Sequence, residues 1–126
     1  MKYFISHSLL HEMTEGHLPR KREIEKFLAN LIQNNNHLMT CVISLYQLVA
    51  TTGKNTDIIL NQLDIVLDAV VPVSFANLKS SRSFQQQYDL TDMQAVEVIL
   101  ALEHGAVLLE NNHSLKNIKS LAVTGY

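Results

Sequence analysis

The stretch LLENNHSLKNIKSL, residues 108–121, passes from apolar residues directly into side chains that can bind a metal ion or transfer a proton. Glu110, Asn111, Asn112 and His113 follow the apolar run without a gap. In α/β proteins, side chains in this position lie at the carboxyl end of a strand, where ligands commonly bind. The stretch contains no aspartate, so it has the placement of an active site without the acid that a metal-dependent enzyme would use.

Two other apolar runs, residues 2–6 and 37–44, also end in polar residues. If the three runs are neighbouring parallel strands, their carboxyl ends meet at one edge of the sheet. We therefore expect one rim of the protein to hold three polar segments, residues 6–8, 44–47 and 110–113.

Hydrophobic periodicity predicts strands that alternate with helices. Strands are predicted at residues 2–6, 37–44, 70–73, 106–110 and 122–125. Helices are predicted at residues 8–16, 19–33, 44–53, 54–69, 74–88, 90–105 and 114–121. Ser8 and Thr91 are predicted N-caps, Gly16 and Gly105 predicted helix stops, and Pro72 favours an edge strand. This alternation predicts an α/β fold with a mostly parallel sheet of about four to five strands and helices on both faces.

Composition narrows the class of protein. The 126 residues are long enough for one domain over residues 1–126, with 47% hydrophobic and 17% charged residues. A formal net charge of −2 gives no overall basic field, so any RNA contact must come from a local patch. Cys41 is the only cysteine, which excludes an internal disulfide. No run approaches the roughly 20 apolar residues of a membrane helix, so we expect a cytoplasmic protein with no membrane partner.

Four stretches of the chain stand out by their order and spacing: MKYFISHSLLHEM, CVISLYQLVATTG, LTDMQAVEVILALEHG with its Glu-His-Gly ending, and LLENNHSLKNIKSL. Together they resemble the PIN domain, a family of small α/β nucleases that includes the VapC-type toxins of toxin–antitoxin pairs. The resemblance covers nearly the whole chain. It implies a three-layer α/β/α sandwich in which acidic residues at the strand ends hold Mg²⁺ or Mn²⁺.

The resemblance places the family's acids at Ser6, Gln47, Gln94 and Asn112, none of which is acidic in this chain. Three of the four are amides, which keep a similar shape and hydrogen-bonding capacity but lack the charge that a hard cation needs. We therefore predict a degenerate PIN-like protein with no metal, no cofactor and no catalytic residues of the family type. Such a protein would act as a binding or regulatory module.

Five further residues are predicted to border this degenerate pocket: His7, Ser44, Asp92, Glu110 and His113. The alternative prediction is an active toxin-type ribonuclease with an atypical site built from Asp92, Glu110, His7 and His113. The histidines, with His11 one helical turn after His7, could bind zinc or act as an acid–base pair in metal-free RNA cleavage. The simpler interpretation is that Asp92 stabilises a helix N-terminus and that the histidines are ordinary surface residues.

Partners are predicted from the resemblance and from surface patterns. Lys116 and Lys119 follow the pocket and could contact RNA phosphates, although solvated lysines explain them equally well. The resemblance implies a homodimer and an antitoxin-like protein partner held in a hydrophobic groove between the early helices. The apolar residues of 54–73 also favour a homodimer. Candidate groove residues, which could equally belong to the core, are Leu9, Leu10, Met13, Leu45 and Leu48.

Overall fold

The computed structural model describes residues 1–52, 56–118 and 121–126. A parallel sheet of five strands lies at its centre, in the order β3-β2-β1-β4-β5. The predicted α/β fold with a mostly parallel sheet is therefore confirmed. The strands are β1 (Lys2–Ile5), β2 (His37–Cys41), β3 (Ala69–Val71), β4 (Val107–Leu109) and β5 (Val123–Thr124).

The helices pack on both faces of the sheet. They are α1 (His7–Glu15), α2 (Leu18–Gln33), α3 (Val42–Thr52), α4 (Thr56–Val66), α5 (Phe75–Tyr88) and α6 (Asp92–Glu103). The predicted last helix is a short 3-10 helix at His113–Asn117. Within the described ranges, none of the helices has the length and apolar character needed to cross a membrane.

Alternating side chains of the strands divide the core into two layers. Ile5, Leu38 and Leu109 belong to the cluster that contains buried residues of α1, α2, α3 and α4. Phe4, with its neighbours on β2 and β4, belongs to the cluster that contains α6. Because both faces are covered, the strands are apolar along their length, as the short apolar runs of the sequence predicted.

Helix ends follow the local sequence closely. Thr91 is the N-cap of α6, and its hydroxyl oxygen accepts a hydrogen bond from the main-chain N–H of Gln94. Gly105 follows α6 with φ of +61°, a left-handed conformation that favours glycine. The N-cap of α1 is Ser6 rather than the predicted Ser8, because the helix begins at His7, two residues before the start that a Ser8 cap would give. Pro72 directly follows β3, which is an edge strand as predicted.

The strand order reverses between β1 and β4, which makes this the topological switch point of the sheet. β2 and β3 extend the sheet on one side of β1, and β4 and β5 extend it on the other. Ile5 and Leu109, the last residues of β1 and β4, are paired across this boundary. A crevice forms where successive connections leave in opposite directions, so the residues that follow these two strands are placed at a potential binding site.

Candidate functional site

Ser6 lies at the centre of this rim, and it has a structural role. Its hydroxyl oxygen accepts a hydrogen bond from the main-chain N–H of Leu9 at 3.3 Å, and the residue is completely buried. The short side chain suits an N-cap, since it can reach back to a first-turn N–H that has no partner within the helix. The residue at the first predicted acid position is therefore used to start α1.

Glu97 is the most unusual residue at the rim, because a carboxyl group in the middle of α6 is only 1% exposed. Its Oε2 accepts hydrogen bonds at 2.6 Å from the main-chain N–H of His7 and at 2.6 Å from the hydroxyl of Ser44. Its Oε1 lies 3.1 Å from Nδ1 of His7. The first N–H groups of α1 also carry the positive end of the helix dipole, which favours an anion here. Glu97 thus joins α6 to the ends of β1 and β2.

Glu110, the first residue after β4, is a second buried acid with 5% exposure. Its Oε2 accepts a hydrogen bond from the Ser8 hydroxyl at 2.9 Å. Its Oε1 accepts from the main-chain N–H groups of Asn111 at 3.0 Å and Asn112 at 3.3 Å. This arrangement satisfies both oxygens and shapes the turn that leaves β4.

His7 and Glu97 influence each other's protonation. The hydrogen bond to Glu97 raises the pKa of His7 above 6.5, and partial burial of the ring opposes the shift. Burial raises the pKa of the Glu97 carboxyl above 4.5, and the hydrogen bonds from His7 and Ser44 oppose it. Both directions mean that the folded pair holds its proton more tightly than the separated groups would. The hydrogen bond between Nδ1 and Oε1 fixes the orientation of the imidazole ring.

The remaining predicted acid positions have different local roles. The amide of Gln94 closes a capping box, with its oxygen accepting from the main-chain N–H of Thr91 at 3.1 Å. Gln47 is exposed on α3 and borders the cavity described below. Asn112 is partly buried, and its main-chain N–H binds Glu110.

The predicted pocket neighbours divide into two groups. His7, Ser44 and Glu110 lie together at the rim, whereas the side chain of Asp92 is 84% exposed. Asp92 accepts a hydrogen bond from Gln85 of α5 at 2.7 Å and lies among the described surface residues away from the cavity. Asp92 and Glu110, which the alternative site combined, therefore bind different partners, the first on α5 and the second at the rim. The side chain of His113 and the whole of Lys119 lie outside the described residues, and Lys116 is exposed.

A polar cavity of about 510 Å³ opens above this rim. Its lining includes His7, Ser8, His11, Glu12, Gln47, Glu110, Asn111 and Tyr126.

Tyr126 lines one side of this cavity and is held there by Arg20. The Arg20 guanidinium donates to the main-chain oxygen of Tyr126 at 2.6 Å and lies 5.2 Å from the centre of its ring. It also forms an ion pair with Glu12 at 3.6 Å. Burial raises the pKa of the Tyr126 hydroxyl, and the charges of Glu12 and Glu110 act in the same direction. The hydroxyl therefore stays protonated at any physiological pH.

A second, larger groove of about 840 Å³ lies between α1, α2 and α4. Leu10 and Met13 line this groove, as predicted for a groove between the early helices. The other three candidates do not line it: Leu9 and Leu48 are core residues, and Leu45 borders a different cavity. The opposite wall comes from α4, which the sequence prediction had not assigned to the groove. The other apolar lining residues are Ile59, Leu63 and Val66.

From the sequence, Glu12 and Glu97 were interpreted as nearby surface or helix-capping acids, and Arg20 and Tyr126 were not assigned to this region. A signal existed for Glu97, because a single charged residue within the apolar run AVEVILAL is rarely buried without a specific partner. Its partner His7 lies 90 positions away in the chain. No local pattern in the sequence connects two residues at that separation.

Comparison with known proteins establishes the fold. No protein-family model matches the sequence, and no curated protein matches it. A chain of VapBC2 from Rickettsia felis, bound to a DNA fragment from its promoter, superposes with a TM-score of 0.71 at 19% identity, covering 99% of this chain and 98% of that one.

Two further structures have similar scores. A toxin–antitoxin complex from Klebsiella pneumoniae gives a TM-score of 0.67 at 15% identity, with coverage of 97% and 95% of the two chains. FitAcB from Neisseria gonorrhoeae gives 0.66 at 15% identity, with coverage of 96% and 95%. At these identities the likeness concerns the backbone and not the site. The chain has the PIN-like α/β/α fold found in these toxin–antitoxin structures.

Proposed function

We propose that this PIN-like protein does not work as a metal-dependent nuclease and instead acts as a binding or regulatory module for an antitoxin-like protein partner. The observation that carries the proposal is the structural use of the predicted acid positions. Ser6 caps α1, Gln94 caps α6, and neither offers a charged oxygen to a cation.

The acids that do lie at the rim are already bound internally. Glu97 accepts three hydrogen bonds, two of them from His7, and Glu110 accepts three more. Across residues 1–52, 56–118 and 121–126, no three His, Cys, Asp or Glu side chains are grouped so that they could hold a metal ion. A divalent ion would have to displace hydrogen bonds within the protein before it gained Glu97 or Glu110 as a ligand.

The loss of the four carboxylate charges weakens the binding of a divalent ion at this rim. At an effective dielectric constant of 20, a unit charge pair at 4 Å is worth about 4 kcal/mol. Removing the acid at each of four positions removes several such terms from the binding of Mg²⁺ or Mn²⁺. An amide or hydroxyl oxygen supplies a dipole but no net charge, so it does not restore them.

The groove between α1, α2 and α4 supports a protein partner. Its apolar wall is continuous with the core, and Lys21 and Glu25 lie at its edge. This combination suits the apolar face of an amphipathic helix with charged flanks. The structures with the same fold belong to toxin–antitoxin complexes, which favours a partner of the antitoxin type.

We also propose a homodimer that uses α4 and the edge strand β3. Ile58 and Ile65 on α4 are 57% and 84% exposed, and Val70 on β3 is 45% exposed. Exposed apolar side chains around an unpaired strand edge favour association between copies. Sedimentation velocity should show a dimer that Ile65→Asp weakens, whereas a wild-type monomer at micromolar concentration would contradict this.

A cleavage assay on single-stranded RNA tests the loss of metal-dependent activity. The rate with Mn²⁺ should equal the rate with EDTA, because no described cluster of side chains binds the ion. Asp92→Ala should change neither rate, since the side chain is at the surface and away from the cavity. Cleavage that requires Mn²⁺ and is abolished by Glu110→Gln would overturn the proposal.

The binding role is tested separately with a helical peptide selected by display against the wild-type protein. Ile59→Asp, inside the groove, should weaken peptide binding by at least about tenfold, since a buried charge disrupts an apolar contact. Ile32→Asp on the exposed side of α2 is the matched control and should bind as the wild type does. Equal binding by the two variants would exclude the groove as the site.

A further inference from the structure

Two histidines of α1 border the same polar cavity. His7 and His11 are separated by one helical turn, so their side chains lie on one face of the helix. Both line the cavity of about 510 Å³, a size that accommodates a nucleotide unit. Two imidazoles that share a cavity can accept a proton at one point and donate a proton at another.

Glu97 orients the first of these histidines. It holds Nδ1 of His7 at 3.1 Å, and the same carboxyl group binds the main-chain N–H of His7 at 2.6 Å. Among the described residues, Nε2 of His7 has no hydrogen-bond partner, and the ring borders the cavity. A buried carboxylate behind Nδ1 is the arrangement that fixes a catalytic imidazole in one orientation.

The acids that line the cavity are paired with groups of the protein. Glu110 is 5% exposed and is held by Ser8 and two main-chain N–H groups. Glu12 is paired with Arg20 at 3.6 Å. The imidazoles of His7 and His11 and the amide of Gln47 also line the cavity and can meet a ligand. The hydrogen bond to Glu97 raises the pKa of His7, which favours its cationic form and hence an anionic ligand.

The available groups restrict the chemistry. Two imidazoles can move protons, while the hydroxyls of Ser8 and Thr51 donate to Glu110 and to the main chain of Gln47, and burial keeps the Tyr126 hydroxyl protonated by raising its pKa. Proton transfer by two imidazoles is sufficient to cleave a bond whose nucleophile is part of the substrate. A ribonucleotide phosphodiester is such a substrate, because its 2′-hydroxyl lies next to the phosphate.

We propose that His7 and His11 form a metal-independent acid–base site that cleaves single-stranded RNA by transesterification, with Glu97 as the residue that positions His7. This activity is independent of the peptide groove and is distinct from hydrolysis by a metal-bound water.

The reaction balances without a co-reactant. His11 accepts the proton of the 2′-hydroxyl, and the 2′-oxygen forms a bond to phosphorus. The bond from phosphorus to the 5′-oxygen breaks, and the imidazolium of His7 donates its proton to that leaving oxygen. The products are a 2′,3′-cyclic phosphate and a free 5′-hydroxyl, and proton exchange with water restores both histidines.

The probe is a single-stranded RNA oligonucleotide incubated with the protein in EDTA, with mass spectrometry of the fragments. Wild-type protein should yield 2′,3′-cyclic phosphate and 5′-hydroxyl ends, and the all-deoxy oligonucleotide should remain intact. His7→Gln and His11→Gln should each lower the rate by about 100-fold or more. His37→Gln is the matched control, because His37 is an exposed histidine beside Asp68 at the amino end of β2 and should retain the wild-type rate.

The positioning role of Glu97 has its own readout. Glu97→Gln should move the alkaline limb of the pH–rate profile to lower pH, because His7 loses the carboxylate that raises its pKa. An unmoved limb in the folded variant would remove Glu97 from the proposal.

His11 is exposed, so His11→Gln tests the site even if His7→Gln does not fold. The proposal is overturned if the wild type leaves RNA intact in EDTA, if His11→Gln cleaves at the wild-type rate, or if the fragments carry 5′-phosphates. Those 5′-phosphate ends, if they required Mn²⁺, would instead contradict the proposed loss of metal-dependent activity.

Discussion

Replacing Glu97 by leucine tests the energetic role of the buried carboxyl group. Glu97→Leu introduces an apolar side chain of similar size into α6 and removes the hydrogen-bond acceptor for His7 and Ser44. The Ser44 hydroxyl can turn to Sγ of Cys41 at 3.1 Å, and the half-buried imidazole can turn to water. The main-chain N–H of His7 has no such substitute.

These contacts set the expected magnitude. A buried donor that is left without an acceptor, here the main-chain N–H of His7, lowers the free energy of unfolding by about 1–3 kcal/mol. The loss of hydrogen bonds to a charged group lowers it further, and the burial of the apolar leucine offsets part of this loss. We expect Glu97→Leu to lower the free energy of unfolding by about 2–4 kcal/mol. Glu97→Gln retains a carbonyl oxygen for the N–H of His7 and the Ser44 hydroxyl, so it should cost only about 1 kcal/mol.

Urea unfolding at pH 7, followed by far-ultraviolet circular dichroism, measures both differences. The two variants differ by about 1–3 kcal/mol, so with a slope of about 1–3 kcal/mol per molar the leucine variant should shift the midpoint by about 1 M more than the glutamine variant does. Unchanged slopes are the control that the unfolded state is comparable. A leucine variant as stable as the glutamine variant would refute the hydrogen-bonding role of Glu97, since apolar replacement of a dispensable buried charge is neutral or stabilising.

Three further predictions concern pH and helix ends. The pKa values of His7 and Glu97 are both raised in the folded state, so the folded protein binds protons more tightly than the unfolded chain does. The free energy of unfolding should therefore fall as the pH rises from about 5 to about 8. Urea titrations at several pH values should show this fall in the wild type and a smaller one in His7→Gln. Gly105→Ala should cost about 1 kcal/mol through its φ of +61°, with no steric clash because no atom lies within 4 Å of an added Cβ; Gly105→Asn should cost less in the same thermal-melt assay. Thr91→Ala should cost about 1 kcal/mol by removing the N-cap of α6, and Thr91→Ser should restore most of it in urea unfolding.

Local signals in the sequence predicted most of the fold. Short apolar runs between helical patterns predicted the parallel sheet, since strands buried on both faces lack alternation. The Thr91 cap, the stop at Gly105 and the edge position before Pro72 were also predicted, because each depends on the conformational preferences of one residue. These features are local in the chain, and local physics determines them.

The candidate site was less predictable because its contacts are not local. Positions 6–8 and 110 were predicted to share a rim, and they do so because parallel strand ends meet at one edge. The pairing of Glu97 with His7 depends on which side of α6 faces the sheet, and an apolar circumference does not reveal this. Asp92 was predicted near the pocket from its position in the chain, but the first turn of α6 directs it towards Gln85 of α5.

Titration of the wild-type protein with Mn²⁺ in a calorimeter at pH 7 tests the central claim most directly. The claim is that the rim keeps the frame of a PIN-like pocket while its acids are used internally. It predicts no saturable heat up to about 1 mM Mn²⁺, because the ion would have to break the hydrogen bonds of Glu97 and Glu110 to gain ligands. Saturable binding with a micromolar Kd, lost on Glu110→Gln, would contradict the claim.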